Sequence, residues 1–556
     1  MLTDKFLEES GDDVSNDFST LETLLLIWMG LRLRNLASLE DIEEEYPKWK
    51  NKACREFFEY SGTEFQKVKK SSQNKVKSAI KNGIAMTVSN IFSRLKDTDA
   101  QTSKKDMLNR SNKNLNKGIK DTQGEIKNLC NISRKCTNKQ FIKACDEAYS
   151  KIVAGNNADK AIESSIRKLS QKGIEVVGYT DHTTSMDTAV KRAVTSGVNQ
   201  TSLKFKMDNC KELGINIVKT SSHGGARPSH QEWQGKLFYL HTPVKGLQNF
   251  KKATGYGRVD GLGGANCRHS FYEVTDYEYK NNLVDTEEFD KNRNDDQYEL
   301  EQKQRYYERQ IRSWKKRKNI LDECGVDSTK EAKKIREWQD KRSQFIKESN
   351  IQFKKEHGVD NILKKAYPRE KVISAKRSKE EALKVLKKNN FEADSKEFKS
   401  FSKVLEHSNL PKSIEEFQNL KYTDVGKWGL LKDYKNSRSK NMISAFTSFE
   451  QYVEYKNRIE NEIIGLTTSN GLTVQSQSKH FIERVFGTNE DPVKKRPRSG
   501  VSLENIKDAL IHGKDSIDKK DHTVLRYTSS NCCVTLNKNT GTLIQVNPVS
   551  RKRVRK

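Results

Sequence analysis

The sequence predicts a mainly α-helical N-terminal and central region containing a Gly-rich irregular module, then a small α+β C-terminal domain of two helices on an antiparallel sheet. Three observations carry this. Apolar residues recur at three- and four-residue steps through about the first 170 positions and again over 295–350. Glycines and histidines crowd into 221–275. Beyond about 474 two short helices are followed by three β-prone runs.

In order along the chain, Leu21, Leu24, Leu25, Trp28 and Leu31 mark one helix face, and Phe57, Phe58, Phe65 and Val68 continue the pattern. The polar stretches near Lys96–Lys120 and Gly155–Asp159 read as connections. A helix over Ala189–Leu213, with Val190, Val194, Val198 and Leu203 near one face, stops at Gly214, and Ile215, Ile217 and Val218 read as a short strand. Over 221–275 the glycines permit tight turns, and the few apolar residues argue for a compact irregular piece without a layered core. Leu300, Tyr307, Ile311 and Trp314 form one stripe and Ile335, Trp338 and Phe345 another, as in a helical hairpin turning at Cys324-Gly325 and packing on itself or on a partner. Residues 360–470 look like a small helical piece plus linker.

The tail has its own order. Ser478–Phe486 is a short helix, and Ser502 caps a second, Leu503–His512, stopped by Gly513. The runs Thr523–Tyr527, Cys532–Asn537 and Thr542–Val546 read as strands, the last two joined by the hairpin turn Lys538-Asn539-Thr540-Gly541. Arg551–Lys556 is a basic tip. The expected division is 1–180, 181–280, 281–355, 356–470, 471–550 and 551–556.

Composition narrows the function classes. Of 556 residues, 33% are hydrophobic and 32% charged, which suits small cores joined by polar helices better than one large core. The longest apolar run, Leu24–Met29, is far short of the roughly 20 residues a membrane-spanning helix needs. No secretory leader is expected at the start. Nine cysteines spread over a long chain do not read as a disulfide framework. The net charge of +28 points to an anionic partner, with nucleic acid the default.

Two strings stand out in the central region. They are His223-Gly-Gly-Ala-Arg-Pro-Ser-His230-Gln-Glu-Trp-Gln-Gly-Lys-Leu-Phe238 and Gly255-Tyr-Gly-Arg-Val-Asp-Gly-Leu-Gly-Gly-Ala-Asn-Cys-Arg-His-Ser-Phe-Tyr272. Together with Asp187, Arg192 and Val198-Asn199-Gln200 before them and the charged helices after them, they resemble the phage minor capsid protein 2 family, a branch of the Mu-F-type head-morphogenesis proteins. The resemblance covers roughly residues 5–355. It implies a low-copy protein of the phage head, with portal and capsid proteins and packaged DNA as partners.

His230, Cys267 and His269 are metal-ligand types separated by Gly-rich turns. Mu-F-type relatives often carry Cys-x-x-Cys ahead of a Cys-Arg-Cys string. Here Arg227 and His230 stand at the first pair, and Cys267-Arg268-His269 at the second. One reading is a structural Zn²⁺, with His223 the best fourth ligand. The other is that these side chains only hydrogen-bond main-chain carbonyls in a tight knot. Nothing marks Cys267 as an activated nucleophile.

In the tail, His480 and Arg484 lie four apart on one helical face. Arg526 is in the first strand, Thr535 in the second and Asn547 after the third. A histidine to move a proton, arginines to hold phosphorane charge and a hydroxyl or amide for a phosphate oxygen suit metal-independent cleavage of RNA. His522, in a loop, is a candidate second acid/base. The strings Lys479–Arg484, Gly500–Leu510, Arg526, Val534–Asn537 and Thr540–Pro548 resemble phage-borne toxin domains of the barnase, EndoU, colicin and RelE-like ribonucleases, although Gln545 stands where many relatives have threonine. The expectation is a virion protein carrying a C-terminal ribonuclease that needs no cofactor for catalysis, reaching host cytoplasm during assembly or after ejection. The competing readings are a purely structural, portal-associated protein whose basic tail binds nucleic acid without catalysis, and a host-cell nucleic-acid-binding factor.

Overall fold

The structure, a computed structural model, describes residues 2–39, 41–95, 103–177, 183–286, 290–365, 367–372, 374–405, 410–488, 490–491 and 495–549. The basic tip lies outside the described residues, as does part of the connection expected near residue 96. The chain forms two compact units, Met1–Val385 and Leu386–Lys556.

The first unit is built on long helices. After α1 (Asp4–Glu9), α2 (Asp12–Arg34) is buried almost all round over Leu24–Arg34, so the one-sided stripe read from its leucines is only part of a helix enclosed by others. Trp28 lies at its centre with Phe57, Tyr60 and Phe141 at 5.2–5.8 Å between ring centroids. α3 (Ile42–Leu95) and α4 (Lys104–Val153) run antiparallel, each about 75–80 Å long at 1.5 Å per residue. Their pairing is fixed at one end by Tyr46 stacked on Tyr149 (3.9 Å) and farther along by Gln123 donating to the Gln73 carbonyl. Thus Lys104 onward is helix, where the polar sequence suggested a connection; the Ser103 hydroxyl caps it. The turn after Val153 leads into α5 (Ala158–Lys172), as expected.

A hairpin of β1 (Glu175–Val177) and β2 (Thr183–Ser185) precedes α6 (Met186–Glu212). α6 crosses α4 closely, because the crossing is made by glycines: a Cβ on Gly118 would lie 2.1 Å from Thr201 Oγ1, and one on Gly197 2.1 Å from Thr122 Oγ1. Gly214, with φ of 67°, turns the chain into β3 (Ile217–Thr220).

The Gly-rich segment corrects one expectation. It has a layered core after all: β4 (Leu237–Tyr239), β5 (Gln248–Asn249) and β6 (Phe271–Val274) join β3 in a four-stranded sheet of order β5-β4-β3-β6. Its apolar residues are few but large. Trp233, Phe238, Phe250 and Phe271 pack with Leu203 and Phe205 of α6 and with Ile84, Val88 and Ile91 of α3. Two single-turn helices, α7 (Pro228–Gln231) and α8 (Phe250–Thr254), punctuate the loops, and α9 (Asp276–Lys280) follows β6.

α10 (Lys291–Glu323) and α11 (Thr329–His357) form the expected hairpin, with Tyr307 against Trp338 and Phe345. Its tip is seated on α2: Arg34 donates to the Cys324 and Gly325 carbonyls at 2.8 and 2.7 Å, and Cys324 occupies the space beside Gly30. Lower down, the buried Asp187 pairs with Arg312 and, at 2.9 Å, with Lys316, which also reaches Glu22 at 2.7 Å. The other Glu22 oxygen accepts from the Ile174 N–H.

After α12 (Tyr367–Glu370), α13 (Lys376–Ser402) carries the chain into the second unit. Here α14 (Ile414–Thr423), α15 (Val425–Ser439) and α16 (Phe449–Glu462) lie where a small helical piece plus linker was expected. They instead share one core with the tail: Phe401, Phe417, Trp428, Tyr434 and Tyr452 belong to the same buried cluster as Phe481, Ile506, Tyr527 and Val534. The sheet has order β7-β11-β10-β9-β8, from β7 (Ser476–Gln477), β8 (Lys514–Ile517), β9 (Val524–Thr528), β10 (Cys532–Asn537) and β11 (Thr542–Pro548). β7 pairs parallel to β11, so the sheet is not wholly antiparallel. α17 (Lys479–Val485) lies against β11, and α18 (Leu503–His512) against β9 and β10. Ser478 and Ser502 cap these helices as read.

Candidate functional site

Helix α17 brings His480 and Arg484 together. Ser478 sets its start by accepting from the Phe481 N–H and donating to the Ile544 carbonyl of β11. Phe481, Ile482 and Val485 are buried. His480 Nδ1 donates to Glu483 Oε2 at 3.3 Å, and Arg484 Nε donates to His480 Nε2 at 3.2 Å. This pair of contacts specifies the tautomer with the proton on Nδ1 and the lone pair on Nε2. Glu483 is itself fixed by the Ser437 hydroxyl at 2.7 Å. Burial would raise its carboxyl, but the hydrogen bonds from His480 and Ser437 hold it below the usual range.

A second guanidinium joins this group, and the sequence reading missed it. Arg498 donates to the Met442 and Glu483 carbonyls at 2.7 and 3.2 Å. Its Nε and one terminal nitrogen are buried with no hydrogen-bond partner. Arg484 and Arg498 lie on the same oxygen of the buried Asp491, at 3.4 and 3.7 Å. Burial, with Arg484 nearby, lowers the Arg498 pKa. Glu483 could have been noticed three residues after His480. Arg498 had no local signal, since it reaches the site across a bridge between Thr488 and Arg498.

The other residues expected in the site form a second group. In the sheet register Arg526 is opposite Thr535, Thr535 opposite Gln545, and Cys533 opposite Asn547. By the two-residue period these side chains share one face, opposite the face of Val534 and Val546. Arg526 is half-exposed and held by Asp518 through Nε at 2.6 Å and a terminal nitrogen at 2.5 Å. The Thr535 hydroxyl donates to the Gln545 carbonyl and accepts from its N–H, both at 3.2 Å, bracing a bulge beside Leu536. Asn547 is half-buried. Arg526 lies two strands from β11, about 10 Å across the sheet at the usual spacing. The polar partners of His480 and of Arg526 are separate sets. His522 is exposed in the β8–β9 loop. Cys532 is buried and its neighbour Cys533 half-exposed, so the adjacent thiols face different environments.

In the first unit the structure brings His230, Cys267 and His269 together. One ligand atom from each lies within 4.8 Å of the others, and all three residues are buried. Helix α6 holds the loops around them: Asn199 donates to the Cys267 carbonyl at 2.9 Å and Gln200 to the Gly263 carbonyl at 3.1 Å. Arg227 donates to the Ala265 carbonyl at 3.0 Å. Gln234, also missed, accepts from His269 Nε2 at 2.8 Å and from the His223 N–H at 3.0 Å. Burial pushes the His269 imidazole down to about 2, reinforced by the neighbouring histidines and by Arg268 and Arg227. Burial lowers His223 and His230 in the same direction, and it raises the Cys267 thiol.

The profile of the family described as phage minor capsid protein 2 matches residues 2–347, well over half of the chain. The chain belongs to that family. A "Structural protein" of Lactococcus phage LL-H is 29% identical to it over 180 residues, which is 31% of this chain and 47% of that protein. A "Structural protein" of Lactococcus phage mv4 is 34% identical over 123 residues, 22% of this chain and 88% of that protein. The chain thus spans about half the length of the LL-H relative. No solved structure matches. The family match ends before the second unit begins at Leu386.

Proposed function

We propose that this protein is a minor component of the phage head whose C-terminal unit is a metal-independent ribonuclease. The family match across the first unit supports the virion role. The observation that carries the enzymatic reading is the group on α17: an imidazole oriented by a buried carboxylate, beside two guanidinium groups that share Asp491, one of them with Nε and a terminal nitrogen free of hydrogen bonds. In the reaction, His480 Nε2 takes the proton of an RNA 2′-hydroxyl. The 2′-oxygen attacks phosphorus, a 2′,3′-cyclic phosphate forms, and the 5′-oxygen leaves with the proton returned by the imidazolium. Arg484 turns from the imidazole to the phosphate, and Arg498 meets the developing charge. Glu483 keeps the imidazole oriented and stabilises its cationic form. Arg526, released from Asp518, is placed to hold RNA farther along the sheet, with Thr535 and Asn547 on the same face.

The test is incubation of the full chain with total RNA in EDTA. Cleavage by the native chain and its loss in His480→Ala support the reading. Intact RNA together with retention of DNA on a gel supports the non-catalytic tail instead, a reading favoured by the net charge of +28. Peptides from both units in digests of purified particles test the virion role.

A further inference from the structure

The densest set of soft donors in the described residues lies in the first unit, apart from the proposed ribonuclease. Each of its histidines has one ring nitrogen already engaged. His230 Nε2 donates to the Asp260 carbonyl at 2.7 Å, and His269 Nε2 donates to Gln234 Oε1 at 2.8 Å. That leaves Nδ1 as the lone-pair nitrogen of both rings. His269 Nδ1 is 3.6 Å from Cys267 Sγ. Two such donors on one tetrahedral zinc, with bonds of about 2.0 and 2.3 Å, would stand roughly 3.5 Å apart. The two acceptors on the far nitrogens are the kind of outer partners that orient ligating imidazoles.

The candidate fourth donor, His223, lies beside this set but outside the three whose donor atoms are within 4.8 Å of one another. His223 is stacked on His269 at 4.2 Å between centroids. Its Nδ1 donates to the Gly224 carbonyl at 3.1 Å, which leaves Nε2 buried and without a hydrogen-bond partner. A buried lone pair with nothing to accept is costly. We infer that His230, Cys267 and His269, with His223 completing the set, bind a zinc ion that ties the two Gly-rich strings to each other. One buried thiolate and two buried imidazoles, with a third imidazole beside them, suit a structural site. Binding forms the sulfur–zinc bond and releases the thiol proton to solvent. Zinc then holds together loops whose glycines favour the unfolded chain.

The experiment uses the full chain purified without chelator. Elemental analysis is expected to give about one equivalent of zinc. Exchange into cobalt is expected to give tetrahedral visible absorption and a thiolate-to-cobalt charge-transfer band, and Cys267→Ser to lose that band. Removing zinc from the native chain is expected to lower the melting temperature of its first unit. Zinc far below one equivalent, with no cobalt spectrum on titrating the native chain, overturns the inference without reference to any variant. A full equivalent that survives both Cys267→Ser and His230→Asn overturns it too, because the metal then lies elsewhere.

Discussion

His480 depends on neighbours that restrict it, and its predictions follow from them. Replacing it with alanine should lower RNA cleavage by about 10²–10⁴-fold, the usual contribution of a general base. Arg498→Ala should cost about 10²–10³-fold by removing a guanidinium from beside the phosphate. Both are read as initial rates on one RNA, with circular dichroism to check the fold. At Asp187 the outcome is in stability. Burial alone would raise its pKa, but Lys316 and Arg312 hold it well below the usual carboxylate range. Because the folded pKa is the lower one, the stabilisation is present above the unfolded value of about 3.9 and is lost as pH falls below it. Asp187→Ala should therefore destabilise the first unit by about 1–3 kcal/mol at neutral pH, since the half-buried Arg312 and Lys316 lose a shared partner while Lys316 keeps Glu22. Asp187→Asn should flatten the acid limb of the stability curve. Thermal unfolding between about pH 2 and 7 checks both.

The crossing of α4 and α6 depends on two glycines facing two threonines, and this close approach can be tested by adding atoms. Gly197→Ala or Gly118→Ala should cost about 1–3 kcal/mol by pushing the helices apart. Gly124→Ala, exposed in the same helix with nothing within 4 Å of the added carbon, should stabilise by roughly 0.5–1 kcal/mol. Denaturant midpoints of the three variants separate the two effects. Element by element, the sequence was informative where periodicity and caps were local. Ser478 and Ser502 set the starts of α17 and α18, and Lys538–Gly541 turns the last hairpin, with Gly541 at φ 64°. β8 left no trace because Lys514–Ile517 is exposed at every position and has no apolar alternation. The helices of 414–462 were legible only as a small helical piece, and their packing was hidden for another reason. Their core is a handful of aromatics dispersed among lysines and glutamates, and it becomes apolar only when the tail folds against it.

The whole molecule is a long-helix body that belongs to a phage minor capsid family, followed in the chain by a separate compact unit beyond the family match. Separate cores predict separate unfolding. Calorimetry should show two transitions, and Asp187→Ala should move only one of them. At this scale the two strings around His223–Phe238 and Gly255–Tyr272 were legible as a family signature. Their physical reason needed the fold: Asn199 and Gln200 of α6 hold carbonyls of the second string, and Gln234 of the first holds His269 of the second. The site in the tail was half legible. His480 and Arg484 follow from helical spacing, whereas Arg498 and the Asp518 clamp on Arg526 are set by contacts between distant or non-periodic positions. The measurement that bears most directly on the proposed activity compares an RNA oligonucleotide with the same oligonucleotide lacking a single 2′-hydroxyl at the cleaved nucleotide, both in EDTA. The mechanism at His480 predicts a 2′,3′-cyclic phosphate product from the first and none at that position from the second. Equal cleavage of both, or cleavage that EDTA abolishes, would contradict it.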